Sequence, residues 1–387
     1  MLRVGIIGVG NMGSKYAKLI GEGEIEGLEI GALTRVNEKF RETVKSCLEK
    51  NIPVYESADA LFEAVEEGSL KLDAVIIATP HIAHEAQAVR AFKNNLHVLS
   101  DKPSGVYTRQ ARNMEEAAAK YNKKFGMVFN QRTNPLYIRM KEIIDSGIYG
   151  SLKRVNWVVT DWYRPEKYFA SSSWHASWGK DGGGVLLNQC PHNLDLLQWI
   201  CSMPSELQGF CINGHFHNIE VEDDVTAYLR WPNGATGTFI TSTGDAPGIN
   251  RLEISLDEAM LVCENGELRI GELYPELGMK EADYMASSED YFRKIKGSWK
   301  VEQPEKITDA YRRVLQGFSD ACLGKGEMIA EGSEGRLSLM ISNAIYLSSW
   351  KGRMITLPQI GSREELEFEK EFEEEFNKIK QHSAMSN

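Results

Sequence analysis

Over residues 1 to about 130, short apolar runs alternate with amphipathic ones, the pattern of βαβ units on a parallel sheet. The runs LRVGIIG, LEIGALT, PVY, DAVIIAT, LHVLSDK and FGMVF read as six strands. Between them, helical periodicity covers Met12 to Gly21, Glu38 to Lys50, Asp59 to Glu67, His81 to Asn94 and Thr108 to Tyr121. This predicts an α/β domain with a doubly wound parallel sheet, in which ligands sit at the carboxyl ends of the strands.

From about residue 131 the period changes. Asn134 to Gly147 is helical, and then SLKRVNWVVTDWYR, SELQGFCINGHFH, DDVTAYLRWPNGATGTFITSTG and NRLEISLDEAMLVCENGELRI alternate as long strands. Turns fall at Pro232-Asn233-Gly234 and Glu264-Asn265-Gly266, and helices return at Ile307 to Leu323 and Ser333 to Trp350. Residues 131–360 therefore read as an α+β domain with a large, mostly antiparallel sheet, one face covered by helices and the other open to a second subunit. The tail, 361–387, is acidic and amphipathic, with Phe368, Phe372, Phe376 and Ile379 on one face that is expected to dock on the body or a neighbour.

Within the second domain, GGGVLLNQCPHNLD (Gly182 to Asp195) joins a glycine run to a helical period. Leu187, Leu194, Leu197 and Ile200 form an apolar stripe, and Asn188, His192 and Asp195 fall beside it at i, i+4 and i+7. A core helix with a satisfied histidine fits this pattern. An amide, an imidazole and a carboxylate in register next to glycines also fit a reactive site.

Composition narrows the partners. With 387 residues the chain exceeds one hydrophobic core. A formal net charge of −11 argues against nucleic acid or an anionic membrane, which need clustered Lys and Arg. No apolar run is long enough to span a bilayer, and MLRVGIIGVG lacks the features of a secretory signal, so a cytoplasmic protein is expected. The six cysteines are scattered without a CxxC pair, which suits reduced thiols and gives no metal spacing.

The first turn reads Gly8-Val9-Gly10-Asn11-Met12-Gly13, a GxGxxG between a strand and a helix. In that setting Gly8 makes the tight turn, Gly10 admits a pyrophosphate to the backbone, and Gly13 lets helix and strand pack closely, the fingerprint of a Rossmann dinucleotide site. At the end of the second strand stand Thr34, Arg35 and Asn37, where an NAD site usually carries a carboxylate. Arg35 can pair with a 2′-phosphate, which leans towards NADP(H) or dual use, or it can stack on adenine and leave the ribose to Thr34 and Asn37. The fourth and fifth strands end in Ala78-Thr79-Pro80-His81 and Ser100-Asp101-Lys102-Pro103, both where a nicotinamide would lie. Pro103 fixes the backbone beside Lys102 and can take the cis form. Asp161 to Trp178 holds Trp162, Tyr163, Arg164, Tyr168, Trp174, His175 and Trp178, a set that suits either a platform for a sugar ring or packing under a long loop.

Together these motifs resemble the Gfo/Idh/MocA family, which includes glucose-fructose oxidoreductase and inositol dehydrogenase. The resemblance runs over nearly the whole chain: the Gly8 to Gly13 loop, Ala78-Thr79-Pro80 followed by His84, Asp101-Lys102-Pro103 with Asp in place of the family's Glu, and Gly182-Gly183-Gly184 with His192 and Asp195. It implies that Lys102 and His192 face a hydroxyl-bearing carbon; hydride removal there needs a base, expected to be His192, and a cation for the developing alkoxide, expected to be Lys102, which can share the proton transfer if burial and cationic neighbours lower its pKa. It further implies cofactor contacts from Gly8, Gly10, Asn11, Met12, Gly13, Thr34, Arg35, Asn37, Thr79, Pro80, His84, Asp101 and Lys102. Substrate contacts are expected from Lys102, Asn130, Arg132, Tyr163, Arg164, Trp174, Asn188 and His192. One departure stands out: the family often has Asp four residues before the histidine, where this chain has Asn188, an amide that cannot ionise. Asp161-Trp162-Tyr163-Arg164 and the Asn188 to Asn193 segment are similar to a subgroup acting on glycosides, including gut-bacterial glycoside 3-oxidoreductases.

The expectation is an oxidoreductase with tightly bound NAD(H) or NADP(H), no metal, acting on a secondary hydroxyl of a sugar, cyclitol or glycoside and forming a homo-oligomer through the second sheet. A glycosidase or lyase working through a transient keto-sugar is the alternative, and a nucleotide sensor without catalysis a third.

Overall fold

The structure is a computed structural model that describes residues 1–170, 176–273, 280, 283, 285, 286, 289, 292 and 297–386. The first sheet is built from β1 (Leu2–Ile7), β2 (Leu28–Thr34), β3 (Val54–Tyr55), β4 (Ala74–Ile77), β5 (His97–Ser100) and β6 (Phe125–Met127), all parallel, in the order β3-β2-β1-β4-β5-β6. The order reverses between β1 and β4, which opens a crevice at their carboxyl ends. Its helices are α1 (Asn11–Gly21), α2 (Lys45–Glu49), α3 (Ala58–Glu66), α4 (His84–Lys93) and α5 (Thr108–Lys120). The expected helix over Glu38 to Lys50 is present only as a 3₁₀ turn at Glu38–Phe40 followed by the five residues of α2.

Beyond α6 (Pro135–Ser146) the second sheet comprises β7 (Leu152–Val159), β8 (Glu206–Asn213), β9 (Glu222–Arg230), β10 (Thr236–Ser242), β11 (Asn250–Leu256), β12 (Ala259–Glu264), β13 (Glu267–Glu272), β14 (Ser298–Glu302) and β15 (Ile355–Thr356). Their order is β14-β13-β12-β11-β7-β10-β9-β8-β15, antiparallel throughout except for the parallel β7–β10 pair. Between β7 and β8 the chain makes α7 (Glu166–Ala170), α8 (Val185–Asn188) and α9 (Pro191–Cys201); α10 (Ala310–Cys322), α11 (Glu334–Lys351) and α12 (Arg363–Ser386) follow the sheet. One face of the sheet meets α9 and α11, and its core is Trp157 against Phe239, ring centroids 6.2 Å apart, with Leu194, Leu197 and Ile345.

The boundary expected near residue 131 does not separate the domains cleanly. Val314, Leu315 and Phe318 of α10 lie in the same core as Val4, Ile6 and Tyr16, so this helix completes the first domain rather than the second. The segment after it runs along the β6 edge, with Gly332 N donating to Phe125 O at 2.8 Å and Met127 N to Ala330 O at 3.1 Å. The tail α12 docks on its own chain: Phe372 and Phe376 pack on Trp350 and Tyr107, and Arg112 pairs with the buried Glu369 at 2.8 Å.

Candidate functional site

A cavity of about 1040 Å³ lies at the carboxyl ends of β1, β2 and β4, lined by the Gly8 to Met12 turn at one end and by Lys102, Tyr168 and Asn188 at the other. The turn is shaped by close packing. Gly8 has φ +93°, and a Cβ there would lie 2.7 Å from Ala78 O; a Cβ at Gly13 would lie 2.1 Å from Gly8 O. At Gly10 a Cβ would meet nothing within 4 Å, so the glycine leaves room for something other than protein. The first turn of α1 has no side-chain cap and no acidic residue. Its unpaired amides and the positive end of the helix dipole therefore suit an anion, which is what a dinucleotide's pyrophosphate supplies.

Lys102 follows β5 and reaches across to the second domain, where its Nζ donates to Asn188 O at 2.7 Å. The Lys102–Pro103 peptide bond is cis. Burial lowers the pKa of the ammonium, while Asp101 and Asp181 act to keep it charged. Asp101 is itself fixed by the Tyr16 hydroxyl at 3.0 Å and by Lys102 N at 2.8 Å.

Asn188 ends the short α8, and the placement of that helix follows from Glu222 on β9. The Glu222 carboxylate accepts from Gly184 N at 2.8 Å, Leu186 N at 3.0 Å and the Tyr346 hydroxyl at 2.6 Å. A Cβ on Gly184 would lie 1.9 Å from Glu222 O, which is why the run before α8 is glycine. Burial pushes the Glu222 carboxyl up to about 7, and its three donors hold it lower than burial alone would.

Two family models match this architecture: "Oxidoreductase family, NAD-binding Rossmann fold" over residues 2–129 and "GFO/IDH/MocA C-terminal domain" over residues 137–262. The chain belongs to the GFO/IDH/MocA family. The rhizopine catabolism protein MocA of Rhizobium meliloti is 26% identical over 198 residues, a match that spans 51% of this chain and only 56% of that protein. The D-glucoside 3-dehydrogenase of Escherichia coli K12 is 24% identical over 372 residues, 92% of this chain and 97% of the relative. Among solved structures, the WlbA dehydrogenase of Bordetella pertussis in complex with NADH and UDP-GlcNAcA superposes with a TM-score of 0.74 at 23% identity, covering 92% of this chain and 99% of that one.

Of the residues that the GFO/IDH/MocA resemblance marks for the cofactor, the cavity wall includes Gly8, Gly10, Asn11, Met12, Arg35, Asn37, Thr79, Pro80, Asp101 and Lys102. Gly13 shapes the turn. Thr34, expected against a ribose, instead accepts from Gly8 N through its hydroxyl at 2.9 Å and holds the turn from behind. His84 is also behind the wall, its ring nitrogens 2.9 Å from Pro103 O and 2.8 Å from Thr79 O, tying the two strand-end loops together.

The substrate candidates divide further. Lys102 and Asn188 line the cavity. The strip of Asn188, His192 and Asp195 is broken, because Pro191 starts α9 anew after α8 has ended. Asp195 turns away from the site and holds Arg132 through two hydrogen bonds of 2.6 and 2.8 Å; Arg132 also reaches Glu334 at 2.6 Å. Arg132 is 4% exposed with its charge matched, so it organises the helices rather than meeting a ligand. Asn130 lines a separate cavity of about 370 Å³ with Asn134 and Lys306. Tyr163 is half exposed, and the Arg164 guanidinium lies over the rings of Trp162 and Tyr168 at 5.6 and 5.2 Å from their centroids. Trp174 lies outside the described residues. His192 packs edge-on to Phe129, its Nδ1 has no hydrogen-bond partner, and burial with Lys102 nearby pushes its imidazole down to about 3.

Four further residues gather at the cavity, of which the sequence pattern had marked only Tyr168 and His81, each within a longer segment and without a role of its own. Tyr168 lines the cavity, and its hydroxyl donates to Asn188 Oδ1 at 3.3 Å. Glu56, just after β3, lines the cavity together with Arg35, because β3 pairs with β2 in the register Thr34↔Tyr55. His81 and Asp181 meet at the opposite end, with His81 Nδ1 3.2 Å from Asp181 Oδ1. The signals were present: His81 follows the Thr79-Pro80 strand end, and Asp181 precedes the glycine run. Among the described residues, no group of three or more His, Cys, Asp or Glu is placed to hold a metal ion, and no helix is long and apolar enough to cross a membrane.

Proposed function

We propose that the protein is an NAD(P)-dependent oxidoreductase that moves a hydride between a nicotinamide and a secondary carbinol of a sugar, cyclitol or glycoside. The observation that carries this reading is the single cavity joining an anion-suited glycine turn to a half-buried lysine at the end of β5. The Gly8 to Met12 turn would hold the pyrophosphate, Arg35, Asn37 and Glu56 the adenosine end, and Thr79 and Pro80 the nicotinamide end. When bound, the nicotinamide donates or accepts the hydride. The chain's own contribution is electrostatic and positional. Lys102, fixed through one N–H on Asn188 O, has donors left for the oxygen that gains negative charge as the hydride departs. His192, expected as the base, does not line this cavity, whereas Tyr168 with Asn188 offers hydroxyl and amide groups to neighbouring sugar hydroxyls.

Oxidation at C3 of a glucoside is the finer form of the reading, supported by likeness to a D-glucoside 3-dehydrogenase. At the adenosine end Arg35 and Glu56 carry opposite charges, which favours acceptance of both NAD and NADP. The outer face of the second sheet exposes Phe210, Tyr228 and Trp299, and such an apolar face supports assembly with a second copy, testable by sedimentation. The activity is tested by incubating the pure protein with a panel of glycosides, sugars and cyclitols plus NAD+ or NADP+, following reduced-cofactor absorbance and product mass. Product two hydrogens lighter than substrate is expected; a folded, cofactor-loaded protein inert to the whole panel would remove the reading.

A further inference from the structure

Helix α12 lies outside residues 2–129 and 137–262, the stretches that the family models match, yet it packs on the segments that carry both halves of the site. Arg112 of α5, in the first domain, pairs with its buried Glu369 at 2.8 Å; Arg353, in the second, pairs with its Glu371 at 2.8 Å. On the inner face of the helix Phe372 and Phe376 meet Tyr107, ring centroids 6.4 and 6.2 Å apart, and Phe376 also meets Trp178 at 6.2 Å. Tyr107 closely follows Lys102 in the chain, and Trp178 closely precedes the glycine run that leads to Asn188.

Those two segments also meet each other. Lys102 Nζ donates to Asn188 O at 2.7 Å, and Gly182 is pressed against Val106, whose side chain a Cβ there would meet at 2.6 Å. Asn343 of α11 fixes the backbone on either side of Tyr107, donating to Val106 O at 3.1 Å and accepting from Thr108 N at 3.0 Å. The tyrosine ring is left to α12. On the other side, Trp178 donates from its main-chain N to Glu220 Oε1 at 2.7 Å and from its indole to Glu220 O at 2.8 Å. The far end of α12 reaches the same residue, the Ser383 hydroxyl donating to Glu220 Oε2.

We propose that Phe376 is a positioning residue: in ring contact with both Tyr107 and Trp178, it sets how closely the Lys102 segment of one domain meets the Asn188 segment of the other. The proposal rests on the oxidoreductase reading above for the reaction that this spacing serves. Lys102 belongs to the domain with the glycine turn, whereas Asn188 and Tyr168 reach the cavity from the second domain. A substrate between them reacts only when the two domains hold its carbinol against the nicotinamide, and a misplacement of about 1 Å can cost about 10²-fold in rate. The hydrogen bond from Lys102 to Asn188 restrains a single distance. Close-packed rings resist both sliding and opening, because the interior has no spare volume for them to move into. Phe376 is not among the residues lining the cavity, so it acts through the segments on which it packs.

The test uses the full-length protein with bound cofactor and the best substrate of the panel, comparing wild type with Phe376→Ala and Phe368→Ala well below their melting transitions. Phe368 is buried on the same helix, about 12 Å nearer its start, so its truncation weakens the docking of α12 without emptying the contact with Tyr107 and Trp178. Phe376→Ala should slow single-turnover hydride transfer by about 10- to 10²-fold, and Phe368→Ala by less than about threefold. NADH affinity should stay within about threefold in both, because the glycine turn is untouched. Independently of turnover, hydrogen exchange in the substrate-free protein should be at least about tenfold faster over 104–108 and 178–188 in Phe376→Ala, with β1 and β4 unchanged. If Phe376→Ala does not fold, Phe376→Val against Phe368→Val carries the same comparison. A wild-type rate in the folded Phe376 variant, or an equal slowing in the Phe376 and Phe368 variants, would make α12 a stabilising element only and overturn the proposal. Unaltered exchange over both segments would overturn it as well. If the wild type oxidises nothing on the panel, the oxidoreductase reading fails, and exchange alone decides whether Phe376 holds the two segments together.

Discussion

Gly10→Val separates the cofactor site from the fold that carries it. Around the turn, three glycines have different surroundings. Side chains at Gly8 and Gly13 would run into backbone at 2.7 and 2.1 Å, so substitutions there disturb the β1–α1 packing itself. Gly10 has φ −97°, which other residues adopt, and its Cβ would point into open space. The variant should therefore melt as the wild type does. If that space belongs to a pyrophosphate, the valine side chain displaces it from the first-turn amides of α1. Losing two charge-assisted hydrogen bonds at about 1.5 kcal/mol each amounts to about 3 kcal/mol, or about a hundredfold in Kd. Calorimetric titration of NADH and NADPH into wild type and variant measures the affinity, and circular dichroism measures the melt. A Gly10→Val protein with native melting and undiminished binding would refute the placement of the phosphates on this turn. Gly13→Ala serves as the contrast, expected to lower stability first and binding only as a consequence.

Other outcomes follow from particular contacts. If the proposed reading holds, Lys102→Ala removes a preorganised cation from beside the reacting oxygen and should slow single-turnover hydride transfer by about 10²- to 10³-fold, with NADH affinity changed only a few-fold. A near-normal rate would place the chemistry elsewhere. Glu56→Gln removes a negative charge that lines the cavity with Arg35, where the proposed reading puts the adenosine, and should improve NADP relative to NAD by about tenfold in paired titrations, the effect of one charged contact. An unchanged ratio would mean that Glu56 does not face the ribose. Asp195→Asn leaves the buried Arg132 with a neutral partner and should reduce stability by about 3 to 5 kcal/mol in urea unfolding; a loss under about 1 kcal/mol would show that Glu334 suffices. Glu222 has a folded-state carboxyl raised from the ordinary range to about 7, so its contribution to stability is full below about pH 4.5 and declines as the pH rises towards 7. Relative to wild type, Glu222→Gln should abolish about 3 kcal/mol of that decline, and parallel stability curves from pH 4.5 to 7.5 would contradict the assignment.

Local pattern determined the six parallel strands, the glycine turn at β1 and the alternation of the second sheet, because each depends on neighbours within a few residues and on the hydrophobic period. Strand-end position alone also marked Lys102, since the carboxyl edge of a doubly wound sheet faces the crevice wherever the strand lies. What the sequence could not supply is which face a polar side chain takes when two distant elements compete for it. Asp195 falls on one strip with Asn188 and His192 by helical spacing, yet after the Pro191 restart it binds Arg132, 63 residues away. Glu56 and Arg35 become neighbours only through the β2–β3 register, and α10 joins the first domain after the chain has traversed the second. His81 and Asp181, 100 residues apart, meet only because the two domains close on one cavity. Long-range pairings of this kind are settled by burial: a carboxylate or imidazole removed from water must find a matching group wherever packing brings one, and the choice of partner is made by the tertiary fold.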